Sequence, residues 1–182
     1  TLKPAGESFT GSLSYEFECT YTRDGDKVIS EKSKKTSMLC LGAYNTQLNW
    51  IADRRGIMSS PELNESFEVA TPPQFPKGME GIWSPEHLLT AAVSSCFMTT
   101  FLAIAENSKL AFDQFSCSAS GKLEQIEGKY LMSEIVLEPI LTIPIDTSIE
   151  KAERILIKSE AACLISNSIK SKVTLKINIK HS

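Results

Sequence analysis

Cysteine offers the most chemistry in this sequence. Five are present, at positions 19, 40, 96, 117 and 163. Cys19, Cys40 and Cys117 fall in strand-like or loop segments, and Cys19 is expected to face a core, as free cysteines often do. The other two fall in helix-like segments among small neighbours, Ser94-Ser95-Cys96 and Ala161-Ala162-Cys163. Small neighbours leave room for another helix or a substrate to come close. The thiolate is the reactive form, and a mid-helix thiol gains little from the helix dipole, which fades within one turn. Cys96 would therefore need a nearby cation to ionise at neutral pH. On composition and spacing alone, Cys96 and Cys163 read as core residues. Arg54 and Arg55, in Asp53-Arg54-Arg55-Gly56, likewise read as a solvated turn. An odd number of cysteines at irregular spacing does not form a disulfide framework. With two histidines and no CxxC, no zinc site is expected.

The element that must position Cys96 is the stretch Ser84-Pro85-Glu86-His87 running into Leu88–Ala105. It opens as a helix: Ser84 caps, Pro85 suits the first helical position, and Glu86 complements the dipole. Eighteen uncharged residues follow, ended by Glu106 and Asn107. A helix apolar or small on every face is expected to be buried on every side. Its length approaches a membrane span of roughly 20 residues. Thr90, Ser94, Ser95, Thr99 and Thr100, and the lack of Lys or Arg flanks, favour a core helix of a soluble protein instead.

Around it the chain alternates between strands and one further helix. Residues from about 9 to 40 read as strands, with Tyr15, Phe17, Cys19 and Tyr21 in period two and a turn at Arg23-Asp24-Gly25-Asp26. Leu48–Ile51, Ile57–Ser60 and Phe67–Ala70 are short strands, the first two joined through Asp53–Gly56. Thr71–Gly78, rich in proline, is a stiff loop. Phe115, Cys117 and Ala119 alternate with serines in a strand. Gly121–Lys129 reads as polar and turn-like, and Tyr130–Ile145 as a long strand bent or edged at Pro139 and Pro144. Thr147-Ser148-Ile149-Glu150 reads as a capping box. The helix it opens turns Ile149, Ala152, Ile155, Leu156, Ser159, Ala162 and Cys163 to one face. The last strand alternates Val173, Leu175, Ile177 and Ile179 with polar residues, so one face is buried and one wet.

This order implies an α+β fold, with helices packed on a mainly antiparallel sheet. One sheet and one other helix would struggle to cover an all-apolar helix, so an obligate homodimer with that helix at its interface is expected. The chain has 182 residues, enough for one good core and a small extra element, with 42% hydrophobic content and a net charge of -3. That charge gives no footprint for nucleic acid or an anionic membrane. Thr1–Gly6 shows no apolar signal-peptide core. A reducing, cytoplasmic setting is the simpler expectation.

The segments Trp83-Ser84-Pro85-Glu86-His87-Leu88-Leu89-Thr90-Ala91-Ala92-Val93-Ser94-Ser95-Cys96 and Ala162-Cys163-Leu164-Ile165-Ser166-Asn167 together resemble the OsmC/Ohr family of thiol peroxidases, in a divergent OsmC-like branch. The resemblance runs from about Tyr44 to Ile179. It implies an intertwined homodimer of α/β chains with active sites at the interface, and a division into an N-terminal extension, 1–43, and an OsmC-like domain, 44–182. It further implies that Cys96 is the peroxidatic cysteine and Cys163 the resolving one. Glu86 matches the family glutamate. The family arginine, in an Arg-x-Gly turn some forty residues before the first cysteine, corresponds to Arg54, with Arg55 as the alternative. Arg23 has the same local pattern but lies too far upstream. No cofactor is implied. The substrate is a small hydroperoxide and the reductant an external dithiol, a lipoylated protein in the family.

Physical chemistry agrees with those roles: guanidinium lowers a nearby thiol pKa, thiolate attacks ROOH, and a second thiol condenses with the sulfenic acid to a disulfide. Glu86 and Cys96, on one straight helix, are about 15 Å apart at 1.5 Å per residue. They are therefore expected not to share a site within one chain: Glu86 serves the Cys96 of the other subunit, or acts through Arg54. The extension, His87, and Leu164 where the family often has Pro mark a divergent branch. Long alkyl or fatty-acid hydroperoxides suit the apolar surroundings, and hydrogen peroxide stays open. The rival readings are a redox-sensing or lipid-binding dimer of this fold without turnover, and a structural dimer whose cysteines only pack.

Overall fold

The computed structural model describes residues 42–182. The strands expected between about 9 and 40, Cys19, Cys40 and the Arg23–Asp26 turn lie outside the described residues. Residues 47–182 form one unit. Its first three strands, β1 (Gln47–Ala52), β2 (Arg55–Ser59) and β3 (Phe67–Ala70), make an antiparallel sheet in the order β1-β2-β3. The β1–β2 turn is tighter than the expected Asp53–Gly56. Arg55 and Gly56 already pair with Ala52 and Trp50, and Asp53 takes a φ of 47°. Gly56 is required by the close approach of β1: a Cβ there would lie 2.9 Å from Asn49 O and 3.0 Å from Leu48 Cδ1.

The long helix α1 (Pro85–Asn107) begins as expected. The Ser84 hydroxyl accepts the His87 N–H at 3.3 Å, and His87 Nδ1 accepts the Ser84 N–H at 3.3 Å, a reciprocal cap with His where Glu is usual. Its start is tied to the first sheet by the Ala70 N–H donating to Trp83 O at 2.8 Å.

The second sheet contains β4 (Gln114–Ile126), β5 (Lys129–Ile143), β6 (Lys172–Leu175) and β7 (Asn178–His181). β4 and β5 form one long hairpin. Gly121–Ile126, expected to be turn-like, is strand throughout. The turn is Glu127–Gly128 alone, with φ of 49° and 78°, the two left-handed residues of the tightest hairpin connection. β6 and β7 both pair with β5 in parallel. The sheet is thus less antiparallel than expected, because α2 (Ile149–Ala161) forms a crossover between β5 and the last strand. That last strand is broken between Leu175 and Asn178. The break falls alongside Pro139 of β5, between its pairs at Leu137 and Ile140, where proline has no N–H for the ladder.

The core lies between the helices and this sheet. Val93, Phe97, Phe101 and Ala105 form the inward stripe of α1, against Ile135, Leu137, Leu141 and Ile143 of β5 and Ala152, Ile155 and Leu156 of α2. Phe101 stacks on Phe115 with ring centroids 4.7 Å apart. Two expectations about α2 are corrected. Its cap is Ser148, not Thr147: the Thr147 N–H closes a turn onto Pro144 O, so the helix starts one residue later. Ile149 and Ala162, expected to face inward, are exposed at the two ends of the helix.

The expectation that α1 is buried on every side does not hold within one chain. Only 22% of its most apolar 18-residue stretch is buried. By length and composition α1 is long enough to cross a membrane. Its four inward residues nevertheless centre the core. Ser95, Met98, Thr99, Leu102 and Ala103 form an exposed, largely apolar stripe on another side.

Candidate active site

Cys96 and Cys163 come from distant parts of the chain and meet where α1 passes the end of α2. Cys96 is partly exposed and Cys163 is fully buried; among the described residues they and Cys117 are free thiols. The end of α2 is closed by the Ala162 N–H donating to Lys158 O at 3.0 Å and the Cys163 N–H to Glu160 O at 2.9 Å. The chain then turns through Leu164 and Ile165 into a single 3-10 turn, Ser166–Ser168. This reversal carries Cys163 against the middle of α1, with the two thiols within hydrogen-bonding reach of one another.

The surroundings of the two sulfurs differ, and so does their acidity. Burial pushes the Cys96 thiol up. The Ile165 backbone N–H, the Cys163 thiol, the Thr100 hydroxyl and the Leu164 backbone N–H oppose it as donors, and together they hold Cys96 below the ordinary thiol value. Burial also pushes Cys163 up. The Ser166 hydroxyl and N–H work against this, but the neighbouring Cys96 adds to it, and Cys163 stays above the ordinary value. Cys96 is thus the better nucleophile and the more accessible sulfur. Ser166 Oγ is buried without a hydrogen-bond partner. Leu164, Ile165 and Thr100 are not assigned to the site by the sequence reading. A Thr four residues after Cys96, one helical turn on, was the available signal for Thr100; backbone donors leave none.

Arg54, Arg55 and Glu86 come together elsewhere, around a cleft of about 460 Å³ also lined by Leu48, Trp50, Val69 and Phe75. The Thr71 N–H donates to Arg54 O at 3.1 Å, and the Ala70–Trp83 bond anchors the start of α1, so the hairpin turn and Glu86 are held around the same space. Arg54 is exposed at the turn. Arg55 is half-buried, with Nη1 3.4 Å from Glu68 Oε2. Arg55 Nε and Glu86 Oε2 are both buried without a hydrogen-bond partner. Arg55 and Glu86 thus line one cleft while each keeps a buried polar atom unsatisfied.

Neither cysteine lines this cleft. Nor does either line a larger one, of about 830 Å³, on the other side of Glu86, between α1 and the β4–β5 hairpin. Within one chain the structure therefore joins Cys96 to Cys163, and Glu86 to Arg54 and Arg55, as two separate groups. The ten residues from Glu86 to Cys96 are uninterrupted helix, a rise of about 15 Å. Among the described residues no cluster of three or more His, Cys, Asp or Glu could hold a metal ion.

Comparison with known proteins extends these observations. A family model described as OsmC-like protein matches residues 78–178, which include α1, Glu86 and both cysteines but not Arg54 or Arg55. YmaD of Bacillus subtilis (strain 168), an uncharacterized protein, is 25% identical over 137 residues, 74% of this chain and 91% of YmaD. The structure of an OsmC-like protein of unknown function from Vibrio cholerae superposes with a TM-score of 0.66 at 21% identity, covering 75% of this chain and 99% of that one. That of an organic hydroperoxide resistance protein from Elizabethkingia anophelis gives 0.65 at 23%, covering 80% and 100%. These likenesses establish the fold, and with a family match spanning more than half of its length the chain belongs to the OsmC-like proteins.

Proposed function

We propose that this protein is a peroxide-resistance protein that reduces organic hydroperoxides with Cys96 as the attacking thiol and Cys163 as the resolving one. The observation that carries the reading is the thiol pair itself: a partly exposed Cys96 held below the ordinary thiol pKa, in reach of a buried Cys163 held above it. The Cys96 thiolate attacks the distal oxygen of ROOH, the O–O bond breaks, and the alkoxide takes a proton to leave as ROH. Cys163 then attacks the Cys96 sulfenic acid, losing its proton as water departs and the disulfide forms. An external dithiol, a lipoylated protein in the family's manner, returns two electrons and two protons.

The same reading makes the working unit a homodimer. The exposed stripe of α1 and the exposed Leu48 and Trp50 of β1 are surfaces suited to a second copy. In such a dimer the bare Arg55 Nε and Glu86 Oε2 are the groups that would face the Cys96 of the other chain, with Arg54 at the rim. Residues 44–182 form the catalytic domain and 1–43 an extension to it, in the cytoplasm. The reading is tested by adding cumene hydroperoxide to reduced protein, then measuring intact mass and mapping disulfides by peptide mass spectrometry. Loss of two hydrogens with a Cys96–Cys163 bond, absent in Cys96→Ser, is expected. Slow oxidation scattered over Cys19, Cys40 and Cys117 would instead favour the sensing or lipid-binding dimer, for which the apolar cleft of Leu48, Trp50, Val69 and Phe75 is the suggestive feature.

A further inference from the structure

The Cys96 sulfur is approached by two consecutive backbone N–H groups, those of Leu164 and Ile165. In a trans peptide the N–H points away from the preceding C=O, so fixing the carbonyl fixes the donor. The carbonyl paired with the Leu164 N–H is that of Cys163. It accepts from Asn167 Nδ2 at 2.9 Å and from the Asn167 N–H at 3.1 Å. The carbonyl paired with the Ile165 N–H is that of Leu164, and it accepts from Ser168 Oγ at 2.8 Å. Asn167 Nδ2 also donates to Ala161 O at 3.0 Å, tying the turn to the end of α2. Each carbonyl is held by a side chain four residues further on, which fixes the direction of the N–H on the far side of its peptide.

We propose that Asn167 and Ser168 are positioning residues that aim the Leu164 and Ile165 N–H groups at Cys96 Sγ, so that the turn after α2 is an anion cradle for the Cys96 thiolate. The cradle rests on the reading of Cys96 as the reactive thiol. It depends on Leu164 being a residue with an N–H, which a proline at that position would lack. Thr100 completes the set of donors from α1, and Cys163 is the titratable neighbour among the described residues.

The test uses reduced full-length protein and no peroxide, so it stands apart from any failure of turnover. The rate of Cys96 alkylation by iodoacetamide, resolved by peptide mass spectrometry, is followed against pH. Asn167→Ala and Ser168→Ala are each expected to move the Cys96 midpoint to higher pH, the double variant further, while Ser168→Thr, which keeps the hydroxyl, retains the wild-type midpoint. An unchanged midpoint in folded Asn167→Ala and Ser168→Ala would overturn the proposal. The wild-type protein provides a second measurement that needs no variant to fold. The Leu164 and Ile165 amide protons are expected to shift in NMR spectra as Cys96 titrates, and amides that stay in place through that titration would equally overturn it.

Discussion

Replacing Leu102 by Glu tests the dimer, because the side chain lies on the uncovered stripe of α1 away from the core. Leu102 is 41% exposed and Met98 39%. Fully burying a side chain of this size is worth about 1.5–3 kcal/mol, so the exposed part of each leaves about 1 kcal/mol to be gained. A two-fold interface uses each residue twice, giving about 4 kcal/mol from these two positions, or about a thousandfold in association. Leu102→Ala forfeits about half of that and should weaken the dimer about thirtyfold. Leu102→Glu also places a carboxylate in each copy's interface, at a further cost of several kcal/mol if desolvated. Light scattering after gel filtration, with sedimentation equilibrium for the constant, should show wild-type dimer, a concentration-dependent Leu102→Ala, and monomeric Leu102→Glu at micromolar protein. Because Leu102 points away from the core, urea unfolding of the monomer should remain cooperative. A Leu102→Glu protein as dimeric as wild type, or a wild-type monomer, would refute the argument that α1 is covered by a second copy.

Three further outcomes follow from the geometry. Phe101→Ala, at a fully buried position stacked on Phe115, should cost about 3–5 kcal/mol in urea unfolding, with the far-UV spectrum kept. Gly56→Val should destabilise by about 1–3 kcal/mol or more and lower activity through Arg55, since its Cβ would press on the Asn49 carbonyl. Cys163→Ala removes a hydrogen bond that lowers the Cys96 pKa, so Cys96 alkylation should need a higher pH to reach half its limiting rate. The sign follows from thiolate being the reactive form, and a midpoint moved downward would contradict the assigned donor.

Periodic and capped elements were legible in the sequence, and meetings between distant segments were not. Ser84-Pro85 announced the start of α1, and the last strand's alternation gave its inward residues, because both signals are local. Gly121–Ile126 hid its strand character, since much of that part of β4 is exposed and shows no clear apolar alternation. The one-residue error at the α2 cap came from two adjacent hydroxyl residues, between which the turn onto Pro144 decides. The apolar composition of α1 implied burial on all sides but could not say that one chain covers so little of it. At the site, the cysteines and Glu86 were picked out only through family resemblance. The donors from Leu164 and Ile165 belong to the backbone, where side-chain identity leaves no mark. That Arg55 Nε is buried without a partner depends on how the guanidinium packs in the fold, which residue identity alone does not carry.

The complete burial of Cys163 beside a partly exposed Cys96 has a consequence for the return half of a catalytic cycle. In a Cys96–Cys163 disulfide only the Cys96 sulfur would be open to an incoming thiolate. The reductant would therefore be joined to Cys96 in the mixed disulfide, with Cys163 as the leaving group. A leaving thiol of raised pKa departs slowly. Such a bond resists monothiols, whose mixed disulfide Cys163 can reverse, and yields to a dithiol that closes its own ring before reversal. In such a cycle the direction of electron flow would follow from which sulfur the fold hides.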